Sequence, residues 1–313
     1  MIFRNTIRLL LSNFSNVWKA LLYYVICIVL TAAVCWSVAS PVIYNLNKAG
    51  VFADFYALLQ SFFDGVKFES VATSLNSIID TAWNVISSNF QFNYIFLIVW
   101  VFFVFPFTLD LAQLAMGEVL YGYMTSQVKY SFTGRYIKNI GKSCVYSLFR
   151  YLVLFVLNVL AMSLLVGVIK FVVLGGFVNI LLALLVFALS LVLFAFKHAL
   201  VSCWMPGIAV LNSNPFKALK QNFKCVFSKF FSIFSNYLTL VMLALAVNVM
   251  AFVFTFGVSI ILTLPLTAFV FVIFQMVTYF TVNGMRFYVY PDMFITPQKY
   301  EEQDKIKKLK YLI

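Results

Sequence analysis

The feature that most constrains this chain is a set of apolar runs, each long enough to cross a lipid bilayer. A transmembrane helix needs about 20 mostly apolar residues. The apolar stretch 151–203 is too long for one span, and Gly175-Gly176 divide it; the stretch 236–288 divides near Gly257 to Pro265. Six spans result, at about 20–44, 94–123, 151–173, 177–203, 236–257 and 263–288. We expect Pro265 in the first turn of its helix, where a missing N–H costs little.

The composition favours the same fold class. Apolar residues make up 64% of the chain and charged residues 10%, whereas soluble domains carry about a quarter charged residues. We therefore expect an all-α polytopic membrane protein with one transmembrane domain over residues 1–290 and a basic tail over residues 291–313. The first apolar run is longer than the roughly 7–15 residues of a signal-peptide core, so we expect it to remain as an anchor.

Positive charge is distributed unevenly between the segments that join the spans. Most of the 22 Lys and Arg lie before span one, between spans two and three, between spans four and five, and after span six. Between spans one and two there are only Lys48 and Lys67, beside several acidic residues. Because Lys- and Arg-rich loops stay in the cytoplasm, we expect a multi-pass protein of the cell membrane with both termini cytoplasmic. This topology accounts for the net charge of +12, so no nucleic-acid partner is needed.

The three basic segments that precede odd-numbered spans resemble one another. Each has two cationic residues spaced i, i+4, on one helical face. The pairs are Arg4 and Arg8, Lys138 and Lys142, and Lys220 and Lys224. We expect each segment to be an amphipathic helix on the inner membrane surface, where its cations meet anionic lipid headgroups. The chain then consists of three units of surface helix, outward span and returning span, although the similarity is also what any basic membrane-entry loop would give.

The first unit contains an insertion over residues 47–91. Apolar residues recur there with helical spacing, first from Val51 to Val66 and again from Val71 to Ile86. The pattern predicts two amphipathic helices on the outer face. They would cap the bundle, lie on the outer leaflet or bind a protein partner.

One segment, 205–231, carries a more specific pattern: a proline after an even-numbered span, a polar turn, and an Ala-Leu pair flanked by basic residues. These are Pro206, the turn Asn212 to Pro215, and Ala218-Leu219 between Lys217 and Lys220. The pattern resembles a group of bacterial six-helix membrane proteins. That group includes the membrane domain fused to glycerophosphodiester phosphodiesterases and stand-alone families of unassigned function. Its members often have Ser where this chain has Asn222. The resemblance implies a membrane-embedded module and carries no catalytic residues.

Ionisable and amide side chains inside spans are costly and therefore indicate function. In the returning spans they are Asp110, Gln113 and Glu118 in span two, Lys197 and His198 in span four, and Asn283 and Arg286 in span six. We predict that Asp110 pairs with Lys197 or Arg286 in a substrate- or ion-binding cluster in the cytoplasmic half. In the alternative, the two cations snorkel to the interface and Asp110 has one structural partner. Pro106 should kink span two just before Asp110.

The sequence lacks the residue patterns that metal sites, disulfide frameworks, nucleotide binding and hydrolysis require. His198 is the single histidine, and the five cysteines form no C-x-x-C pair, so neither a metal site nor a disulfide framework is indicated. Nucleotide-binding and hydrolase motifs are missing from the sequence, and we expect no cofactor.

The function that we favour is a non-enzymatic membrane module with an accessory, scaffold or lipid-organising role. The alternative is a small permease or flippase for an amphiphilic substrate that uses the polar residues around Asp110. An intramembrane enzyme of lipid metabolism is less favoured, because only His198 with Glu118 supports it.

Overall fold

A computed structural model describes residues 2–63, 68–88, 92–174, 177–290 and 293–295. Nearly all of these residues are helical. The helices are α1 (Ile2–Ser12), α2 (Phe14–Lys48), α3 (Val51–Phe63), α4 (Phe68–Ser88), α5 (Phe92–Val99), α6 (Phe105–Ser126), α7 (Phe132–Leu174), α8 (Phe177–Leu200), α9 (Trp204–Leu211), α10 (Pro215–Ser228), α11 (Phe230–Phe254) and α12 (Ile260–Val282). A π-helical turn, Trp100–Val104, lies between α5 and α6. Strands β1 (Phe287–Tyr290) and β2 (Met293–Ile295) pair antiparallel.

Six helical segments of the described chain are long and apolar enough to cross a membrane, which confirms the predicted number of spans. They are Trp18–Lys48, Ile95–Ser126, Phe132–Val172, Val178–Leu211, Phe230–Phe254 and Ile261–Val282. Helix α7 ends at Leu174 and α8 begins at Phe177; the break predicted at Gly175-Gly176 falls on residues outside the described part of the chain and stays a prediction. The chain is therefore a multi-pass membrane protein.

The basic segments before the odd-numbered spans differ from one another. Before span one, α1 is a separate helix that ends at Ser12. Before span five, α10 ends at Ser228, and the next residue, Lys229, has φ of −139°. The separate helix predicted between spans two and three is wrong. Residues 132–150 are instead the first part of the continuous helix α7. No proline interrupts them, and Gly141 by itself costs only about 1 kcal/mol in a helix interior.

Predictions were made for two of the prolines that lie in the spans, Pro106 and Pro265. Pro106 is the second residue of α6 and follows the π-helical turn directly. Because proline has no N–H to donate to the preceding turn, the widened turn is a helix irregularity of the kind expected there. The prediction for Pro265 is wrong, because α12 begins at Ile260 and Pro265 lies within it.

The described chain divides into two compact units. Unit 1 comprises residues 1–28, 107–154 and 194–313, and unit 2 comprises residues 29–106 and 155–193. In unit 2, α3 and α4 pack against each other through Val51, Leu58, Val71 and Ile78. The described parts of the insertion are thus helical, as predicted; Val66 lies outside the described residues, and the location of the helices on the outer face stays a prediction.

Unit 1 has a core made by the shorter helices and the ends of the spans. Helix α1 packs on α12 and β1, and α9 packs on α10 and α12. The largest side chains that are fully buried there include Trp204, Tyr146, Tyr237, Phe274, Phe280 and Phe287. The strands depart from the all-α prediction because residues 293–295 of the predicted tail pair with β1. Residues 296–313 of the tail lie outside the described residues.

Candidate functional site

The site of unit 1 begins with an ion pair between α6 and α7. Nη1 of Arg150 lies 2.5 Å from Oδ1 of Asp110 and donates to Oε1 of Gln113 at 2.7 Å. Nε2 of Gln113 in turn donates to the same carboxylate oxygen at 2.5 Å. The Arg150 side chain is 7% exposed and that of Asp110 is 21% exposed. The three side chains therefore form a closed hydrogen-bonded triangle that neutralises both charges in an apolar surrounding.

The prediction for Asp110 named Lys197 or Arg286 as its partner and did not include Arg150, which forms the ion pair at 2.5 Å. Lys197 interacts electrostatically with the same carboxylate, and its predicted role in the cluster stays a prediction. Arg150 belongs to the basic segment between spans two and three, which was predicted to lie on the membrane surface. In the continuous helix α7, Arg150 is instead the last of four buried polar residues at helical spacing, which are Asn139, Ser143, Ser147 and Arg150. This spacing could have indicated that Arg150 faces the core.

Around the ion pair lies a set of buried polar atoms, which we call the buried polar cluster. Most of these atoms belong to α7. The others belong to His198 of α8 and Tyr237 of α11, which both interact electrostatically with Arg150. In the part of the chain that the structure describes, these atoms have no hydrogen-bond partner. They are the hydroxyls of Ser143, Tyr146, Ser147 and Tyr237, Nε of Arg150 and Nδ1 of His198. Buried polar groups are normally paired, so these hydroxyl and nitrogen atoms are an exception within the core of unit 1.

Two predicted residues of α8 lie next to this cluster. Nζ of Lys197 is 4.4 Å from the ring centroid of Phe194, and the ammonium interacts electrostatically with Asp110 and Arg150. The ring of His198 packs between aromatic rings, with centroids 4.8 Å from Phe271 and 4.7 Å from Phe194. Both side chains thus border the ion pair without replacing Arg150 in it.

A second feature of unit 1 is a pocket of about 380 Å³, which we call the basic pocket. Its walls come from α6, from the loop that follows it, from α7 and from the end of α9. The lining residues are Glu118, Tyr121, Tyr130, Arg135, Lys138, Asn139, Lys142, Ala209, Val210 and Asn212. Three of them are cationic and one is acidic, so the lining carries net positive charge.

Fixed contacts hold the polar groups of the basic pocket. Nη1 of Arg135 lies 3.2 Å from Oε2 of Glu118, and its guanidinium carbon lies 3.8 Å above the ring of Tyr130. Nζ of Lys142 donates to Oδ1 of Asn212 at 2.5 Å. Asn212 has φ of +47° at the C-terminal end of α9, a conformation that asparagine tolerates better than most residues. One carboxylate is thus matched by one guanidinium, and the two lysines supply the excess charge.

The position of α9 depends on a buried asparagine of α10. Oδ1 of Asn222 accepts from the N–H of Cys203 at 2.9 Å, and its Nδ2 donates to the carbonyl of Leu200 at 2.7 Å. Nε1 of Trp204 donates to the carbonyl of Pro215 at 2.8 Å. These bonds satisfy the backbone where α8 ends and α9 begins. Asn222, a position at which members of the resembling group often have Ser, thus holds the wall of the pocket that α9 provides.

The remaining predicted residues are spread over unit 1. Glu118 pairs with Arg135, so its predicted association with His198 as an acid–base pair has no support in the pocket lining. Nδ2 of Asn283 donates to the carbonyl of Tyr279 at 2.8 Å and contacts Sγ of Cys225 at 3.5 Å. Arg286 is exposed between α12 and β1.

The six cations predicted to meet lipid also differ in their surroundings. Lys138 and Lys142 line the basic pocket, whereas Arg4, Lys220 and Lys224 are exposed on α1 and α10. Nη1 of Arg8 contacts Sδ of Met293 at 3.1 Å. Contact of any of them with a headgroup stays a prediction.

Comparisons with models of protein families, with curated proteins and with solved structures gave no match. The resemblance of residues 205–231 to bacterial six-helix membrane proteins therefore stays a prediction. Among the described residues, no group of three His, Cys, Asp or Glu side chains is arranged to hold a metal ion.

Proposed function

We propose that this chain is a non-enzymatic module of the cell membrane that holds an anionic phospholipid by its headgroup in the basic pocket. The observation that carries the proposal is the composition of that pocket, in which Glu118 is matched by Arg135 while Lys138 and Lys142 remain as excess positive charge. A phosphodiester supplies the negative charge and the acceptor oxygens that two ammonium groups can bind.

The size and the walls of the pocket support a lipid headgroup. A volume of about 380 Å³ falls within the roughly 300–1,000 Å³ of typical ligand pockets. Ala209 and Val210 give the pocket an apolar side, and the helices that line it belong to membrane-spanning segments. A headgroup could therefore bind among the polar residues while its acyl chains remain in the bilayer.

The positive-inside distribution of charge supports a cytoplasmic location for the pocket. Its cations belong to the basic segment between spans two and three, one of the four segments that we assign to the cytoplasm. Both termini are cytoplasmic in this proposal. The anionic lipids of the inner leaflet are then the available ligands.

The test is lipid retention, measured by native mass spectrometry of the purified protein after exchange into mixed phosphatidylglycerol and phosphatidylcholine micelles. We expect the wild-type protein to retain phosphatidylglycerol preferentially. The double variant Lys138→Gln/Lys142→Gln should lose that preference. At about 1 kcal/mol for each lysine, the two substitutions should weaken retention by roughly 30-fold.

The matched control is Lys220→Gln/Lys224→Gln, which removes the same charge with the same spacing from exposed positions on α10. It should retain the lipid nearly as the wild type does. Equal loss in both double variants would show unspecific attraction to a basic surface. Full retention in Lys138→Gln/Lys142→Gln would contradict a headgroup site in the pocket.

A second candidate function, a permease or flippase for an amphiphile, is supported by the buried polar cluster. Its polar atoms beside the Asp110–Arg150 pair could accompany a headgroup through the bundle. The test is translocation of fluorescent phospholipid in proteoliposomes, with Tyr146→Phe as the variant. Tyr146→Phe removes a hydroxyl without a protein partner, so it should preserve the fold and slow translocation. Wild-type vesicles no faster than protein-free vesicles would exclude this candidate.

A further inference from the structure

Two cysteines of unit 1 lie closer together than their separation in the sequence suggests. Cys203 lies in the turn between α8 and α9, Cys225 lies on α10, and their Sγ atoms are 3.0 Å apart. Both are free thiols. Two sulfur atoms at this distance are in direct contact, and only a small approach separates them from the roughly 2.05 Å of a disulfide bond.

The fold itself holds the two cysteines together. Asn222, one turn before Cys225 on α10, accepts from the backbone N–H of Cys203 and donates to the carbonyl of Leu200. The same asparagine is almost fully buried. The turn that carries Cys203 is thus fixed to the helix that carries Cys225, so the contact between the sulfur atoms does not depend on a mobile loop.

The two thiols differ in accessibility and in their neighbours. Cys203 is 1% exposed, whereas Cys225 is half-buried. The pKa of the Cys225 thiol is lowered by the hydrogen bond from the Cys203 thiol, with smaller contributions from the Asn283 amide and the charge of Lys229. A reachable thiol with thiolate character is the kind that reacts with peroxides, because the thiolate is the nucleophile.

We propose that Cys225 and Cys203 form a peroxide-responsive thiol pair, with Cys225 as the residue that reacts first and Cys203 as the residue that resolves it. The Cys225 thiolate attacks one oxygen of hydrogen peroxide, the O–O bond breaks, and hydroxide leaves and takes up a proton as water. Cys225 is then a sulfenic acid. The Cys203 sulfur loses its proton and attacks Sγ of Cys225. An S–S bond forms, the S–O bond breaks, and the oxygen leaves as a second water.

The electrons balance in this sequence. Two thiols lose two electrons and two protons, and one peroxide is reduced to two waters. A small thiol or a thioredoxin-type dithiol reverses the reaction by exchange. The resulting bond links α10 covalently to the end of α8 and the beginning of α9, so the modification fixes the helices that adjoin the basic pocket. The inference does not depend on lipid binding.

The test uses the purified full-length protein in lipid nanodiscs, treated with hydrogen peroxide and digested under acid conditions. We expect a linked peptide that joins Cys203 to Cys225 and an intact mass lower by about 2 Da, the two hydrogens lost on disulfide formation. Cys144, a partly buried thiol on α7, is the internal reference for unspecific oxidation. Oxidation of Cys144 before any Cys203–Cys225 linkage would overturn the proposal.

Two variants assign the roles within the pair. In Cys203→Ser the sulfenic acid at Cys225 has no resolving thiol, so a dimedone probe should label Cys225 at least several-fold more than in the wild type. In Cys225→Ser neither a linkage nor dimedone labelling of Cys203 should occur. Equal labelling of Cys225 in the wild type and in Cys203→Ser would contradict the resolving role. Because the linkage is first measured in the wild type, a variant that fails to fold leaves the main result intact.

Discussion

Replacing Asp110 with Asn removes the carboxylate that neutralises Arg150 and leaves a guanidinium that is 7% exposed without a counter-charge. Replacing Arg150 with Gln has the converse effect on Asp110. Both substitutions keep a polar side chain of similar size, and Gln113 remains available to either residue as a hydrogen-bond partner. The double variant Asp110→Asn/Arg150→Gln removes both charges and leaves three neutral amides in the same place.

The expected magnitudes follow from the geometry. At the N–O distance of 2.5 Å, and with an effective dielectric constant of about 20, the Coulomb attraction is about 7 kcal/mol. Desolvation of both ions offsets most of this. Breaking a buried pair on one side usually costs about 3–5 kcal/mol, whereas replacing both partners is nearly neutral. We therefore expect each single variant to lose about 3–5 kcal/mol, the double variant to lose less than either, and a coupling energy of several kcal/mol.

The assay is thermal unfolding of the purified protein in detergent micelles, followed by tryptophan fluorescence. Losses of this size should lower the midpoint by about 5–8 °C in each single variant, with a smaller decrease in the double variant. The control cycle is Glu118→Gln with Arg135→Gln. The side chains of Glu118 and Arg135 are 11% and 27% exposed and 3.2 Å apart, so the longer distance and the more exposed guanidinium should give this pair a smaller coupling energy than the Asp110–Arg150 pair has. Additive effects of the Asp110 and Arg150 substitutions would refute the reasoning.

Three smaller perturbations test the surroundings of the basic pocket by the same unfolding assay. A Cβ at Gly122 would overlap the ring of Tyr130. Gly122→Ala should therefore destabilise the protein by about 1–3 kcal/mol and weaken its retention of phosphatidylglycerol. An unchanged unfolding midpoint would contradict the close approach of Gly122 and Tyr130. Gly141 has open space around its Cβ position, so Gly141→Ala should stabilise by up to about 1 kcal/mol, and a lower midpoint would mean that the site is not open. Asn222→Ala leaves a backbone N–H and a carbonyl unpaired and should cost about 2–4 kcal/mol; a loss near zero would show that water replaces both bonds.

The number of spans could be predicted because each span depends only on a run of consecutive apolar residues in the sequence. The helical character of Val51–Phe63 and Phe68–Ser88 follows from the spacing of apolar residues in the same way. The helical irregularity before Pro106 follows from the missing N–H of proline. Each of these features depends on residues that are neighbours in the sequence.

The candidate site was predicted only in part, because its pairings are tertiary. Asp110 and Gln113 share a helical face and could be found from spacing, but the choice of Arg150 over Lys197 depended on whether α7 is continuous. The contact between Cys203 and Cys225 depends on how the α8–α9 turn packs on α10. Spacing rules for cysteine motifs cannot anticipate a contact of that kind.

Helix α1 packs on the last span and on β1, and this packing has a consequence for the order of events during synthesis. Asn5, Thr6 and Leu9 of α1 are buried in the finished protein, and the rings of Phe3 and Phe274 lie 5.2 Å apart. At roughly 5–20 residues per second, the ribosome reaches α12 about 10–50 s after it has made α1. During that interval α1 lacks the helix that buries its residues in the finished protein. Its packing on α12 and β1 can therefore form only after the last span has been made.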